Sequence, residues 1–167
     1  LEEATPFRID GVYCRLIPLT KGFHAIVDAS DYEALMQRRW QTKSTKWGFY
    51  VIRNTGKKKK KLSMHRVVLP TVRGLDPDHI NGVGLDNRRN NLRPATIKQN
   101  HRNTRRYRNN KSGFKGVRRG KNAALWMASI TVDGKEIYLG QHATKELAAE
   151  AYRAAAFKYF GEFARFE

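Results

Sequence analysis

Short apolar runs broken by turn signals dominate the first part of the chain. Phe7–Ile9 and Val12–Leu16 flank Asp10-Gly11, a hairpin signal that predicts two paired strands. Ser30 and Glu33 have the spacing of a capping box, opening a helix that runs towards Trp40. Aromatic and β-branched residues from Trp47 to Arg53 predict a strand, after which Asn54-Thr55-Gly56 turns the chain into Lys57–Lys61. That lysine run reads as a solvated, phosphate-facing hairpin arm, with a localisation signal as the weaker reading. Ser63 is placed to cap a short helix, Met64–Leu69, stopped by Pro70. Asp78-His79 falls on a short strand, Gly82–Asn91 is a polar loop and Leu92–Ala95 a returning strand. Thr96 and Gln99 form a second capping box, which places Asn100 about one turn inside a helix.

The C-terminal pattern is a meander followed by a helix. Phe114–Arg119, Trp126–Val132 and Glu136–Leu139 read as strands, the last two joined by a tight turn at Asp133-Gly134. Trp126, Ala128, Ile130 and Val132 alternate with Met127, Ser129 and Thr131, so one sheet face is apolar and the other mostly polar. Thr144 begins an alanine-rich helix to Tyr159, ended by Gly161, with Leu147, Ala148, Ala151, Ala155 and Tyr159 at helical spacing. The helix covers the apolar face, with Trp126 read as core rather than as a base contact. The other face stays open and basic, a shape a DNA major groove admits. The fold class is therefore α+β. Residues 1–61 form a small β-rich module, 62–106 a strand-loop-strand-helix core, 107–112 a basic linker, and 113–167 a three-stranded antiparallel sheet packed on one helix.

Charge identifies the partner. The 167 residues carry 33 Lys and Arg against 15 Asp and Glu, a net charge of +18 that favours a polyanion. Between Arg88 and Arg119 there are 12 Lys or Arg and no acid, a stretch suited to tracking a DNA backbone. A membrane is the rival polyanion, but no apolar run approaches the roughly 18 residues of a spanning helix, and no signal-peptide h-region is present. Cys14 is the lone cysteine, which excludes an intramolecular disulfide framework and a Cys-rich zinc ribbon. The default location is cytoplasmic, nucleoid-associated in a bacterial cell.

The central segment supplies chemistry that fits this partner. Asp78 offers a charged oxygen and Asn100 a neutral carbonyl oxygen to a hard cation such as Mg²⁺, which keeps waters and borrows phosphate oxygens. His79 points away from Asp78 on the strand, so it can serve as a general base without ligating the metal. Asn91 can brace the loop by bonding backbone groups on both sides. Each has a bland counterpart: Asn91 as a turn residue, Asn100 as a solvated helix position. His65 reads as a structural or phosphate-contacting residue and His101 as surface, while His24 and His142 show no partner pattern.

Met64-His65-Arg66, Asp78-His79-Ile80-Asn81-Gly82, Leu85–Arg89, Asn91-Leu92-Arg93 and Gln99-Asn100 together resemble the HNH nucleases of phages and introns, including homing endonucleases with the ββα-metal fold. The resemblance covers residues 64–100. It implies that Asp78 and Asn100 hold one metal per active site, that His79 is the general base and that Asn91 braces the loop. In the toxin branch of that family both ligands are histidines; the Asp and Asn variant here argues for Mg²⁺ or Mn²⁺ rather than zinc. Gly113–Arg118, Trp126, Ile130, Tyr138-Leu139-Gly140, Thr144, Ala148-Ala149, Ala151-Tyr152, Ala154-Ala155 and Phe160-Gly161 resemble the ethylene-response-factor (APETALA-type) DNA-binding domain of plants. By that likeness Lys115, Arg118, Ser129, Thr131 and Tyr138 face DNA, joined by Arg119 from the basic stretch. Glu136 stands where plant members tend to carry Arg, and Ser129 and Thr131 replace long charged readers, so the plant target sequence does not transfer.

The resulting expectation is a site-specific, metal-dependent DNA endonuclease of homing type acting on double-stranded DNA. Arg93, Arg102 and Arg105 are its candidate phosphate clamps. Lacking a heptad or apolar helix for dimerisation, the chain reads as a monomer, with a homodimer as the alternative. The rival is a DNA-binding regulator with a non-cutting core; an RNA-directed nuclease is a third reading.

Overall fold

Asp10 and Gly11 take φ of 51° and 79°, as a type I′ turn requires, and close β1 (Phe7–Ile9) onto β2 (Val12–Pro18). The computed structural model describes residues 5–56, 60–104, 106 and 109–166, a mixed α+β chain of small antiparallel sheets with few helices. β3 (His24–Asp28) completes the first sheet against β2 and leads straight into α1 (Ala29–Met36). The Ser30–Glu33 capping box does not form. Asp28 is the N-cap, without a side-chain cap bond, and its Oδ2 instead accepts the Arg89 backbone N–H at 2.9 Å. Glu33 is drawn off by Arg15 at 2.9 Å, and the helix stops at Met36, short of Trp40. Trp40 is buried beneath it and donates its indole N–H to the Leu35 carbonyl at 2.8 Å.

The second sheet is β4 (Gln41–Thr45), β5 (Gly48–Thr55) and β6 (Lys60–Ser63), in that order. Asn54 and Thr55, read as turn residues, extend β5 and pair with Lys61 and Lys60. Lys57–Lys59 lie outside the described residues. Ser63 is the N-cap of α2 (Met64–Val68), although its side chain makes no cap bond. β7 (Asp76–His79) and β8 (Leu92–Ala95) form a two-stranded sheet, and α3 (Ile97–Arg102) follows Thr96.

The chain divides into two compact units, Leu1–Ile97 and Lys98–Glu167. In the first, Ile17, Val27, Leu35, Trp40, Val51, Met64, Val68 and Leu92 belong to one buried cluster. The N-terminal strands and the Asp78-His79 hairpin therefore share a core. In the second unit β9 (Val117–Arg119), β10 (Trp126–Val132) and β11 (Lys135–His142) form a sheet with β10 central, covered by α4 (Lys145–Phe160). Ala128 and Ile130 are buried against Ala148, Tyr152, Ala155 and Ala156, the apolar alternation of β10 meeting the small-residue face of α4. Thr144 caps α4, its hydroxyl accepting the Leu147 N–H at 3.2 Å. β9 begins at Val117 rather than Phe114. Gly113 and Gly116 have φ of 84° and 72°, and the Ser112 hydroxyl bridges the carbonyls of Phe114 (3.0 Å) and Val117 (2.8 Å), holding 112–116 as a loop.

Candidate active site

β7 ends on Asp78 and His79, paired with Arg93 and Leu92 of β8, and strand alternation sends the two side chains to opposite faces. Both are only 5% exposed, which is costly for groups that carry or acquire charge unless they are partnered. Asp78 is partnered by Arg93, whose Nε and guanidinium NH₂ lie 3.0 Å from Oδ2. Arg93 is itself buried, so its charge is directed at Asp78.

His79 is held differently. Burial pushes its pKa down, while a bond to Asn87 and the charges of Asp78 and Asp86 pull it partly back. Its Nε2 stands 3.5 Å from Asn87 Oδ1, and Asn87 is fully buried. The His65 ring meets the His79 ring edge-on, with centroids 5.0 Å apart and planes at 83°. Tyr50 from β5 leans on both, at 6.3 Å from His65 and 5.9 Å from His79. His65 is pushed down to about 3, first by burial and then by the neighbouring His79 and Arg66. Two groups here lack a hydrogen-bond partner among the described residues, His65 Nδ1 and Asn87 Nδ2.

The loop between the strands is tied from within and from the N-terminal sheet. Asn91 Oδ1 accepts the Asn81 N–H at 3.1 Å, while its amide donates to Asn81 Oδ1 at 3.0 Å and to the Asp86 carbonyl at 2.8 Å. Arg88 grips Asp86 through Nε and Nη2, each at 2.9 Å, and reaches Asp10 at 3.2 Å; these bonds raise its pKa further. Arg89 forks onto Asp31 at 2.7 and 2.8 Å. Backbone bonds complete the tie: Ile26 N–H to the Leu85 carbonyl at 2.9 Å and Asn87 N–H to the Ile26 carbonyl at 2.8 Å. At Gly84 the loop passes so close to β5 that a Cβ would meet the Phe49 carbonyl at 2.5 Å and the Tyr50 ring at 2.7 Å. The N-terminal strands and α1 thus build the wall behind the loop and lend it three carboxylates, Asp10 from the β1–β2 turn, Asp28 from β3 and Asp31 from α1.

The first unit gathers Asp78, His79, Asn91 and Arg93. Asn100 is the fourth residue of α3 and belongs to the second unit. There, Arg102, Lys115, Arg118, Ser129 and Thr131 line one cleft. Arg102 lies 3.5 Å from Asp133 and stacks over Phe160 at 4.9 Å. Lys115 turns inward to the carbonyls of Arg102 and Thr104. Arg118 pairs with Glu136 at 3.0 Å, and Glu136 is held below the usual carboxylate range by Ser129 and Arg118. Arg119 donates to the Ala123 carbonyl at 2.8 Å and covers the Trp126 ring at 4.0 Å. Thr131 and Tyr138 are exposed. Arg105 lies outside the described residues. Sequence reasoning missed Tyr50 and Asn87, and gave His65 a structural or phosphate-contacting role without its contact with His79. Asn87 had a local cue, an amide beside Asp86 in a short polar loop; Tyr50 had none, because its place depends on how the second sheet packs.

Among the described residues no three His, Cys, Asp or Glu side chains converge to hold a metal, and no helix is long and apolar enough to cross a membrane. Residues 112–162 match the AP2 domain. Over 165 residues, 95% of this chain and 82% of the relative, the sequence is 32% identical to an uncharacterized HNH endonuclease of Acanthamoeba polyphaga mimivirus. A likeness at 34% identity over 97 residues, 58% of the chain and 79% of the relative, is to Protein 3.8 of Escherichia phage T7. The chain belongs to the HNH endonuclease family and joins its nuclease-type segment to an AP2 domain.

Proposed function

We propose that the protein is a site-specific, divalent-metal-dependent DNA endonuclease of homing type, hydrolysing phosphodiester bonds in duplex DNA that its AP2 domain locates. The observation that carries this reading is the buried Asp78-His79 pair at the end of β7, each side chain oriented by its own partner, in a chain of the HNH family. His79 is the general base. Its pKa is lowered by burial, so the ring is neutral at neutral pH. The amide oxygen of Asn87, 3.5 Å from Nε2, accepts and so favours the tautomer protonated there, and Nδ1 is the nitrogen we assign to take the proton of the attacking water. Asn91 keeps the loop, and with it His79, in register.

Asp78 and Asn100 would hold the metal. Their donor atoms are one carboxylate and one amide oxygen, a hard set suited to Mg²⁺ or Mn²⁺ that leaves positions for waters and phosphate oxygens. Arg93 orients the Asp78 carboxylate that would receive the ion. When bound, the cation supplies stabilisation of charge on the phosphate and on the leaving oxygen. The exposed basic and polar residues of the second unit, Arg118, Thr131 and Tyr138 among them, contact the duplex, and Arg102 serves the backbone.

Incubating supercoiled plasmid carrying a natural target with the protein and Mg²⁺, with and without EDTA, tests the reading. Metal-dependent nicking or linearisation is the expected result. Tight binding without cleavage under any divalent metal would instead define a DNA-binding regulator with a non-cutting core, and cleavage confined to structured RNA would redirect the substrate.

A further inference from the structure

Lys115 sits in the segment where the sequence leads one to expect a DNA contact, yet its ammonium is committed elsewhere. Nζ donates to the Arg102 carbonyl at 2.9 Å, on the last residue of α3, and to the Thr104 carbonyl at 2.7 Å, two residues beyond the helix. The last carbonyls of a helix have no intrahelical partner and carry the negative end of its dipole, so a cation is the fitting cap. The side chain is half-buried, and burial, with Arg165 nearby, brings its pKa down to about 8. Extracting it to reach a phosphate would strip two carbonyls of their donor.

Other groups of the second unit hold the same helix. Asp133, in the β10–β11 turn, faces Lys98 at 3.6 Å and Arg102 at 3.5 Å. The Arg102 guanidinium lies over the Phe160 ring at 4.9 Å, which fixes the end of α3 against the end of α4. α3 is therefore gripped at its basic face by the sheet turn and at its C-terminus by Lys115. Since Lys98–Arg102 fall in the same unit as the AP2 domain, the helix that carries Asn100 is part of that body.

We infer that Lys115 is a positioning residue rather than a DNA contact. It anchors the C-terminus of α3 to the AP2 sheet, so that the Asn100 helix is carried by the domain that reads DNA. The inference rests on the proposed DNA binding for one arm of its test and on the free protein alone for the other, and it does not require cleavage.

The experiment compares the full chain with Lys115→Met and Lys115→Arg. Amide hydrogen exchange over residues 98–104 is measured without DNA, and affinity for a duplex oligonucleotide is measured across a salt series without divalent metal. The anchor role gives at least about tenfold faster exchange in α3 for Lys115→Met, most of it restored in Lys115→Arg, with an unchanged salt slope. A phosphate-contacting lysine would reduce the slope of log K against log salt by about 0.9. Unchanged exchange, or a slope reduced by that amount, overturns the inference. If Lys115→Met does not fold, acylation footprinting of the wild-type lysines decides: slow Lys115 modification with and without DNA supports the anchor, and fast modification that DNA suppresses overturns it.

Discussion

A buried imidazole works as a base only when its neutral form and its orientation are both enforced, and His79, the base we propose, receives these from different neighbours. Burial supplies the first; Asn87 on one ring nitrogen and the edge-on rings of His65 and Tyr50 supply the second. His65 has its own cost. Its folded pKa of about 3 lies below the unfolded value of 6.5, so between those limits the unfolded chain takes up a proton that the folded chain refuses. Stability from the neutral buried ring is complete above pH 6.5 and is lost as pH falls towards 3. His65→Phe keeps a ring in place and removes that proton. Urea unfolding of the variant should therefore show a flatter pH dependence across the window, whereas parallel curves for variant and wild type would disprove this assignment. Asn91→Ala removes acceptor and donor from Asn81 N–H, Asn81 Oδ1 and the Asp86 carbonyl, with an expected loss of about 1–3 kcal/mol in the same assay.

At the scale of elements, the close approaches decide what the chain tolerates. A Cβ on Gly116 would enter the Tyr152 ring and come within 2.7 Å of the Ser129 carbonyl, from a φ of 72°. Gly116→Ala should destabilise the second unit by about 3 kcal/mol or more, read as lost exchange protection in β9–β11. Wild-type protection there would contradict the packing described. The strands of this unit were legible because β10 alternates cleanly and Asp133-Gly134 is unambiguous turn chemistry; α4 was legible because Thr144 and Gly161 mark its ends. The β7–loop–β8–α3 order was legible from the same local signals. The α1 cap was not, because Ser30 and Glu33 satisfy a local rule that long-range partners override: Arg89 claims Asp28 and Arg15 claims Glu33. Equally hidden was the wall behind the loop between β7 and β8. Tyr50, Ile26 and Asp31 reach it only through the fold, and no spacing in the sequence links positions so far apart.

For the whole molecule, the governing quantities are charge and the division into two units. An excess of 18 positive charges makes duplex binding salt-dependent, and a protein neutralising several phosphates should show a log K against log salt slope steeper than about −3. A slope near zero would mean that the basic residues do not meet DNA. In the N-terminal segment the acidic side chains of Asp10 (β1–β2 turn), Asp28 (end of β3) and Asp31 (α1) are committed to Arg88 and Arg89 of the loop, which positions them as scaffold for the hairpin that bears His79. We propose that this hairpin cuts DNA with His79 as its base. The most direct measurement is the Mg²⁺-dependent cleavage rate of a plasmid bearing the natural target, for wild type and His79→Ala at matched DNA occupancy. EDTA-sensitive cleavage by wild type is expected, with a rate lower by about 10²–10⁴-fold in the variant and DNA affinity unchanged. Equal cleavage by both proteins, or none by wild type on DNA it demonstrably binds, would contradict it.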